Sequence, residues 1–176
     1  MVAVISGATR GVGKALALTL AKEGYQLALS SRNIDDLTQL KAEIETDFNT
    51  SVFVYTADLS NQDEATAFSN KVLETYETID VLINNIGRYN IGKFTDEECD
   101  LDLMMKTNLN SAYYITKLIA VNMANNNNGH IFNICSVLSF SPRVDAATYT
   151  ISKHALKGFN DVLREEMRKH NVKVTA

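Results

Sequence analysis

Short apolar segments alternate with longer amphipathic segments along the whole chain. The short segments are rich in Val and Ile and do not alternate strictly between apolar and polar residues, which is typical of strands buried on both faces. They predict strands over 2–6, 26–31, 51–55, 80–84, 130–135 and 172–175. Helical periodicity predicts helices over 11–23, 33–47, 61–76, 97–124 and 148–169. The alternation predicts an α/β fold with helices on both faces of a parallel sheet.

The predicted sheet determines where functional residues are expected. Parallel sheets of this kind bind ligands beyond the carboxyl ends of their strands, so the residues just after each predicted strand are the candidates. The sequence ends at Ala176, directly after the sixth predicted strand. We therefore expect one domain over 1–176 that is cut short at this strand.

Composition excludes several classes of protein. The 176 residues include 17 Lys and Arg against 21 Asp and Glu, a net charge of −4, and 45% are hydrophobic, which argues against a disordered chain. The mild acidity gives no reason to expect nucleic acid. No apolar run approaches the ~20 residues of a membrane span, and no secretion signal is visible. We expect a cytoplasmic protein that binds neither nucleic acid nor a membrane.

Cysteines and histidines give no sign of a metal site or a disulfide framework. Cys99 and Cys135 form no CxxC motif and read as ordinary intracellular thiols. Cys135 is predicted to lie in a buried strand, which disfavours a nucleophilic role. The three histidines have no second ligand at metal spacing and are interpreted as structural or surface residues.

A glycine-rich turn, SGATRGVG over 6–13, follows the first predicted strand and opens the first predicted helix. Gly7 permits a tight turn, Gly11 lets the backbone approach a pyrophosphate, and Gly13 lets the helix pack closely on the strand. The amides at the start of the helix then face an anion. The spacing GxxxGxG differs from the common GxGxxG fingerprint, and a turn without a ligand is the alternative.

This turn resembles the TGxxxGxG motif of the short-chain dehydrogenase/reductase family, with Ser6 in place of the first Thr. The resemblance implies a Rossmann-type, doubly wound parallel sheet in three layers. Two further segments match motifs of the family. Asp58-Leu59, after the third predicted strand, matches its adenine-binding pair, and 84–87, after the fourth, match its NNAG motif with Ile86 in place of Ala. The positions matching cofactor-binding residues are Gly7, Thr9, Arg10, Gly11, Val12, Gly13, Arg32, Asp58, Leu59, Asn85, Ile86, Gly87, Tyr149 and Lys153.

Two arginines indicate which dinucleotide the resemblance implies. The second predicted strand ends at Arg32, without the carboxylate that would accept a hydrogen bond from a free ribose 2′-hydroxyl. Arg10, in the glycine turn, is expected beside the same ribose. Two guanidinium groups suit a 2′-phosphate, and in the family this basic pair marks NADP preference. We expect NADP(H), with two solvated surface arginines as the alternative.

A Y-x-x-x-K pair is the catalytic candidate. Tyr149 and Lys153 are four positions apart, so on a helix they share one face. The spacing alone is weak, since Tyr89 and Tyr113 also precede a lysine by four positions. Only Tyr149 has a serine, Ser136, thirteen residues before it and just after a predicted strand. The Ser-Tyr-Lys arrangement resembles the catalytic group of the family.

The resemblance implies a role for each catalytic residue, with Asn108 at the fourth position. Tyr149 would donate a proton to a carbonyl oxygen, and the Lys153 ammonium would stabilise the phenolate and hold the ribose hydroxyls. Ser136 would hydrogen-bond the substrate oxygen. Asn108 would support a water that relays protons to Lys153.

The expected reaction is hydride transfer between NADPH and a carbonyl or alcohol. The substrate stays open between a 3-oxoacyl thioester and a pterin or diketone, as in sepiapterin reductase, which 29–32 and 129–132 resemble. A catalytically incomplete NADP-binding module is a third alternative. Segments 88–94 and 138–147 are expected to line the pocket. By family analogy, the helices carrying Asn108 and Tyr149 would join a homodimer or homotetramer.

Overall fold

A six-stranded parallel sheet forms the centre of the molecule. The computed structural model describes residues 1–97 and 99–176. The strands are Val2–Ser6 (β1), Gln26–Ser31 (β2), Val52–Thr56 (β3), Val81–Asn84 (β4), Gly129–Asn133 (β5) and Val172–Thr175 (β6). Their order is β3-β2-β1-β4-β5-β6, and every neighbouring pair is parallel. This is the order of doubly wound dinucleotide-binding sheets, so the predicted fold class is confirmed.

Helices cover both faces of the sheet. They are Gly11–Lys22 (α1), Ile34–Phe48 (α2), Gln62–Thr75 (α3), Leu101–Met105 (α4), Ser111–Asn125 (α5) and Ala147–Arg168 (α6). A π-helical segment over Lys106–Asn110 joins α4 to α5, and a short 3₁₀ helix spans Val137–Ser139. Within the described part of the chain, no helix combines the length and the apolarity needed to cross a membrane.

Two apolar cores lie on opposite faces of the sheet. Successive residues of β1 alternate between them, with Val4 in the core under α3, α5 and α6, and Ile5 in the core under α1 and α2. Both side chains are completely buried. Burying a side chain of this size stabilises the fold by about 2 kcal/mol. Burial on both faces explains why the strands lack apolar–polar alternation in the sequence.

Two predicted boundaries were wrong, both near the catalytic candidates. The helix predicted over 97–124 begins at Leu101 and is interrupted by the π-helical segment. The strand predicted over 130–135 is β5, which ends at Asn133, so Cys135 lies beyond the strand and is half-buried. The Ile134 N–H is still bonded to the Asn84 carbonyl of β4, whereas the Ile134 carbonyl accepts a hydrogen bond from the Lys153 ammonium.

The strand order creates a crevice where the winding direction reverses. β1 and β4 are neighbours, and the chain leaves their carboxyl ends toward opposite faces of the sheet. Such a switch point is the usual ligand site of open α/β sheets. The glycine turn follows β1 and the predicted NNIG motif follows β4, so both lie at this crevice.

Candidate active site

The glycine turn between β1 and α1 depends on glycine for two different reasons. Gly7 and Gly11 have φ of +65° and +54°, in the left-handed region that favours glycine. A Cβ at Gly13 would overlap the carbonyl oxygen of Gly7 and lie 2.6 Å from Asn85 Nδ2. Around Gly11, apart from its chain neighbours and the backbone of its own helix, no described atom lies within 4 Å of an added Cβ. The turn is therefore tightly packed at Gly13 and open at Gly11.

Asn85 ties this turn to the end of β4. Its Nδ2 donates to the carbonyl oxygens of Ser6 and Gly7 at 3.2 and 3.0 Å, and its backbone N–H donates to Ser6 Oγ at 3.0 Å. Ile86 packs its Cγ1 against Gly7. The Asn85 amide is therefore bonded to the backbone of the glycine turn. In this geometry Asn85 would contribute to cofactor binding indirectly, by holding that turn in place.

The start of α1 is open to a ligand. Arg10 occupies the N-cap position, and no side chain among the described residues caps the helix. The first-turn amides therefore lack the partner that a capping side chain would supply. Gly11 and Val12, on this turn, are exposed. An uncapped helix start beside an open glycine suits a phosphate or pyrophosphate group.

Arg10 and Arg32 are brought to the same edge of the sheet. The hydroxyls of Thr9 and Ser31, the residues before them, are hydrogen-bonded at 3.1 Å. Both arginines are exposed, and neither belongs to an ion pair within residues 1–97 and 99–176. Two unpaired guanidinium groups at one edge are available to an added anion.

Asp58 and Leu59, after β3, face in opposite directions. Ser60 donates its hydroxyl and its backbone N–H to Asp58 Oδ1 at 2.7 and 3.0 Å. The Ser60 hydroxyl is the main reason why the pKa of the Asp58 carboxyl is lowered, and Arg32 contributes weakly. Asp58 is exposed and ionised, whereas the Leu59 side chain is buried in the core. Only the backbone of Leu59 is therefore left to contact a cofactor.

Lys153 is enclosed next to Tyr149. Its side chain is 4% exposed, its Nζ donates to the Ile134 carbonyl at 2.8 Å, and the ammonium lies 5.9 Å from the centre of the Tyr149 ring. Burial lowers the pKa of Lys153, because the charged form loses its hydration. A Cβ at Gly87 would lie 3.4 Å from Nζ. Gly87 thus leaves room beside the ammonium.

Ser136 begins the 3₁₀ helix after β5. Its Oγ accepts a hydrogen bond from the Leu138 backbone N–H at 3.2 Å, and its own N–H donates to Ser139 Oγ at 3.1 Å. The hydroxyl acts only as an acceptor here, so its hydrogen is available for a substrate oxygen. Burial raises the pKa of the adjacent Cys135 thiol, which reduces its thiolate fraction and disfavours a nucleophilic role.

Asn108 lies in the π-helical segment and is completely buried. Its Oδ1 accepts from the Arg88 N–H at 2.7 Å, while its Nδ2 donates to the Arg88 carbonyl at 3.0 Å and to Ser152 Oγ at 2.8 Å. Both hydrogens of Nδ2 and one of the two acceptor positions of Oδ1 are therefore occupied by protein groups. The side chain is thus committed mainly to the protein, and the sequence did not indicate its contacts with Arg88 and Ser152.

Tyr89, which the sequence did not favour as a catalytic residue, contacts Tyr149. The rings of Tyr89 and Tyr149 are 4.9 Å apart between centroids and meet edge to face at 78°. Nearby, Gly92 donates its N–H to the Asp145 carbonyl at 2.9 Å and accepts from the Ala147 N–H at 3.0 Å. These bonds join the segments 88–94 and 138–147 into one wall beside Tyr149.

Sequence and structural comparisons identify the protein family. The model of the short chain dehydrogenase family matches residues 1–176. The chain belongs to this family. It is 30% identical to an uncharacterized oxidoreductase of Staphylococcus aureus strain N315 over 176 residues, which is 99% of this chain and 75% of the relative.

Solved structures of short-chain dehydrogenases have the same fold. A metagenomic short-chain oxidoreductase in complex with NADP superposes with a TM-score of 0.92 at 33% identity, over 100% of this chain and 80% of that one. L-sorbose reductase from Gluconobacter frateurii, complexed with NADPH and L-sorbose, gives a TM-score of 0.92 at 26% identity, over 98% and 66%. The chain is therefore an oxidoreductase of the short-chain dehydrogenase family.

Short-chain dehydrogenases use a nicotinamide dinucleotide, and the residues present fit one. The uncapped start of α1 and the open side of Gly11 suit the pyrophosphate, and Asp58 is an exposed acceptor beyond β3. Gly87 leaves space beside the buried ammonium of Lys153. No group of three or more His, Cys, Asp or Glu in the described part of the chain is placed to hold a metal ion.

The buried charge of Lys153 predicts a gain in stability when it is removed. In the free protein, Lys153→Met should raise the melting temperature at pH 7 by about 3 °C, equivalent to ~1 kcal/mol, because a poorly solvated ammonium becomes an apolar side chain. Since the folded-state pKa lies below the ordinary value of 10.5, the unfolded chain holds more protons between the two values. Between the folded-state pKa and 10.5, the stability of the parent protein should thus rise with pH. The difference in stability between the parent protein and Lys153→Met should shrink accordingly.

Calorimetry of both proteins at neutral and alkaline pH measures this gap. Lys157→Met is the matched control, since Lys157 lies one turn further along α6 and is ion-paired with Asp161. A less stable Lys153→Met protein at pH 7 would show that the ammonium is well compensated in the folded state.

Proposed function

We propose that this short-chain dehydrogenase reduces a carbonyl group with NADPH and also runs the reverse oxidation. One observation carries the proposal: the Lys153 ammonium is buried beside Tyr149 and anchored to Ile134, two residues before Ser136. A buried cation next to a phenol and a serine with an uncommitted hydrogen is suited to move a proton to or from a substrate oxygen.

Each residue then has a defined task. The bound nicotinamide supplies the hydride, and Tyr149 donates a proton to the carbonyl oxygen. Lys153 stabilises the resulting phenolate, and this attraction is strong because the ammonium is shielded from water. Ser136 donates its hydroxyl hydrogen to the same substrate oxygen and stabilises the charge that develops there. A water supported by Asn108 would relay the returning proton to Lys153.

The arginine pair supports NADPH over NADH. Arg10 and Arg32 are exposed, unpaired within the described residues, and held at one edge by the Thr9–Ser31 contact. The metagenomic oxidoreductase and L-sorbose reductase were solved with NADP and NADPH, respectively. A 2′-phosphate would give both guanidinium groups a dianionic partner.

Replacing both arginines should reverse this preference. We expect Arg10→Ser/Arg32→Ser to lower kcat/KM for NADPH by about 100-fold, because two charge-assisted contacts are lost, and to change kcat/KM for NADH by less than about twofold. Steady-state kinetics with both cofactors measures the effect, with Arg168→Ser, an exposed change on α6, as the control. Equal losses with both cofactors would contradict the assignment to the 2′-phosphate.

For the substrate, we propose a 3-oxoacyl thioester or another small ketone, with a pterin or diketone as the second candidate. Initial rates of NADPH oxidation with an acetoacetyl thioester and a vicinal diketone, run in parallel, distinguish the two. Turnover of either substrate supports a carbonyl reductase. The substrate with the higher rate indicates which of the two substrate classes the enzyme prefers. Tight NADPH binding without turnover across a carbonyl panel would instead favour a binding module.

Self-association is also part of the proposed function. Exposed apolar side chains lie on α5 and α6, among them Tyr113, Val121 and Val162. Helix α5 directly follows the π-helical segment that contains Asn108, and α6 carries Tyr149. Contacts between copies of the chain through these helices would therefore stiffen the site. Light scattering should give twice or four times the mass of one chain, and a strictly monomeric protein would refute this part of the proposal.

A further inference from the structure

Ser152 lies between the two catalytic residues of α6 and is completely buried. Its hydroxyl donates to the Tyr149 carbonyl at 2.7 Å and accepts from Asn108 Nδ2 at 2.8 Å. A serine hydroxyl has a single hydrogen, so these two bonds fix its donor and acceptor directions. Ser152 thereby connects the first turns of α6 to the π-helical segment.

The connection continues from Asn108 to the segment after β4. The Asn108 amide binds both the N–H and the carbonyl of Arg88. A flipped amide would place Oδ1 against the Arg88 carbonyl and Nδ2 against the Arg88 N–H, so these contacts fix its orientation. Arg88 follows Gly87, which faces the Lys153 ammonium, and precedes Tyr89, which packs against Tyr149. The chain of contacts that starts at Ser152 therefore ends against both catalytic side chains.

We propose that Ser152 is a positioning residue for the reduction. It holds the Asn108 amide, and through it the segment 87–89, in register with Tyr149 and Lys153. Ser152 touches neither of the reacting groups and acts through Asn108. This inference rests on the proposed function, because it concerns the geometry of the same site.

A double-mutant cycle tests the proposed route. Ser152→Ala and Asn108→Ala should each lower kcat by about tenfold and change the Kd for NADPH by less than about twofold. The double variant should be no slower than about tenfold below the parent protein, because both changes break the same connection. Additive losses of about 100-fold, or an unchanged kcat in Ser152→Ala, would overturn the inference.

Hydrogen exchange gives a readout that does not depend on turnover. The Arg88 N–H is exchange-protected by Asn108 Oδ1, so its exchange should become about tenfold faster in Ser152→Ala. Ser69→Ala is the matched control, since Ser69 is also completely buried in a helix and donates to the Ala65 carbonyl at 2.8 Å. Unchanged exchange in Ser152→Ala, or equal acceleration in both variants, would contradict the route.

Two further variants keep the outcomes distinct. Where Ser152→Ala fails to fold, Ser152→Cys serves in the same cycle, because the thiol keeps the shape of the side chain, is only slightly larger and forms only weak hydrogen bonds. Tyr149→Phe is measured in the same assay. Full activity in Tyr149→Phe would refute the proposed function itself. If Tyr149→Phe loses activity but Ser152→Ala keeps the parental kcat, only the role of Ser152 is refuted.

Discussion

Tyr149→Phe should lower kcat by about 10³-fold and leave the Kd for NADPH within about twofold of the parent value. The change removes the only proton that Tyr149 can offer to a substrate oxygen. The ring itself remains, so the edge-to-face contact with Tyr89 and the packing around Lys153 are retained. The loss should therefore appear in the chemical step. Rapid-mixing and steady-state kinetics separate this step from binding.

Tyr113→Phe is the matched control for this loss. Tyr113 also precedes a lysine by four positions, and the Lys117 ammonium lies 6.0 Å from its ring centre, close to the 5.9 Å between Lys153 and Tyr149. Tyr149 differs from Tyr113 in lying beside the buried Lys153, which is bonded to the Ile134 carbonyl two residues before Ser136. Tyr113→Phe should keep full activity. Equal losses in the two variants, or full activity in Tyr149→Phe, would show that Tyr149 is not the acid.

The second large effect is expected at Gly13. Gly13→Ala would place a methyl group against the Gly7 carbonyl and 2.6 Å from Asn85 Nδ2, in contact with atoms that cannot move without opening the turn. We expect a loss of about 3 kcal/mol in the free energy of unfolding, at the upper end for overpacking. The Kd for NADPH should rise at least ~100-fold, because the α1 amides lose their alignment. Denaturant unfolding and fluorescence titration measure these quantities.

Gly158→Ala provides the opposite control. Gly158 lies within α6, and an added Cβ would meet nothing within 4 Å. This variant should gain about 0.5–1 kcal/mol from the better helix propensity of alanine and bind NADPH normally. Gly13→Ala protein with parental stability and affinity would mean that the turn tolerates a side chain and is not a close-packed cradle.

Much of the fold could be predicted because its signals are local. The strands are buried on both faces and therefore appear as continuous apolar runs, and the turn after β1 requires glycine at positions with positive φ. The doubly wound arrangement of the sheet followed from the resemblance, since parallel pairing leaves no mark on neighbouring residues. The observed strand order, β3-β2-β1-β4-β5-β6, confirms this arrangement.

The parts that were missed depend on contacts between distant residues. Just after β5, the Ile134 carbonyl accepts a hydrogen bond from Lys153, nineteen residues further along the chain, which no local pattern reveals. The π-helical segment adds one residue to a helical turn without changing the apolar periodicity. The contacts of Asn108 with Arg88 and Ser152 likewise join positions far apart in the sequence. They decide how the candidate site is held, although its residue types were visible in advance.

Isotope transfer tests the central claim most directly. The protein is incubated with a vicinal diketone and NADPH carrying deuterium at the transferable position of the nicotinamide ring, and the alcohol is analysed by mass spectrometry. We predict one deuterium on the new carbinol carbon, and a rate of labelled-alcohol formation about 10³-fold lower with Tyr149→Phe protein. Alcohol formed without deuterium, or labelled alcohol formed equally by both proteins, would contradict hydride transfer assisted by Tyr149.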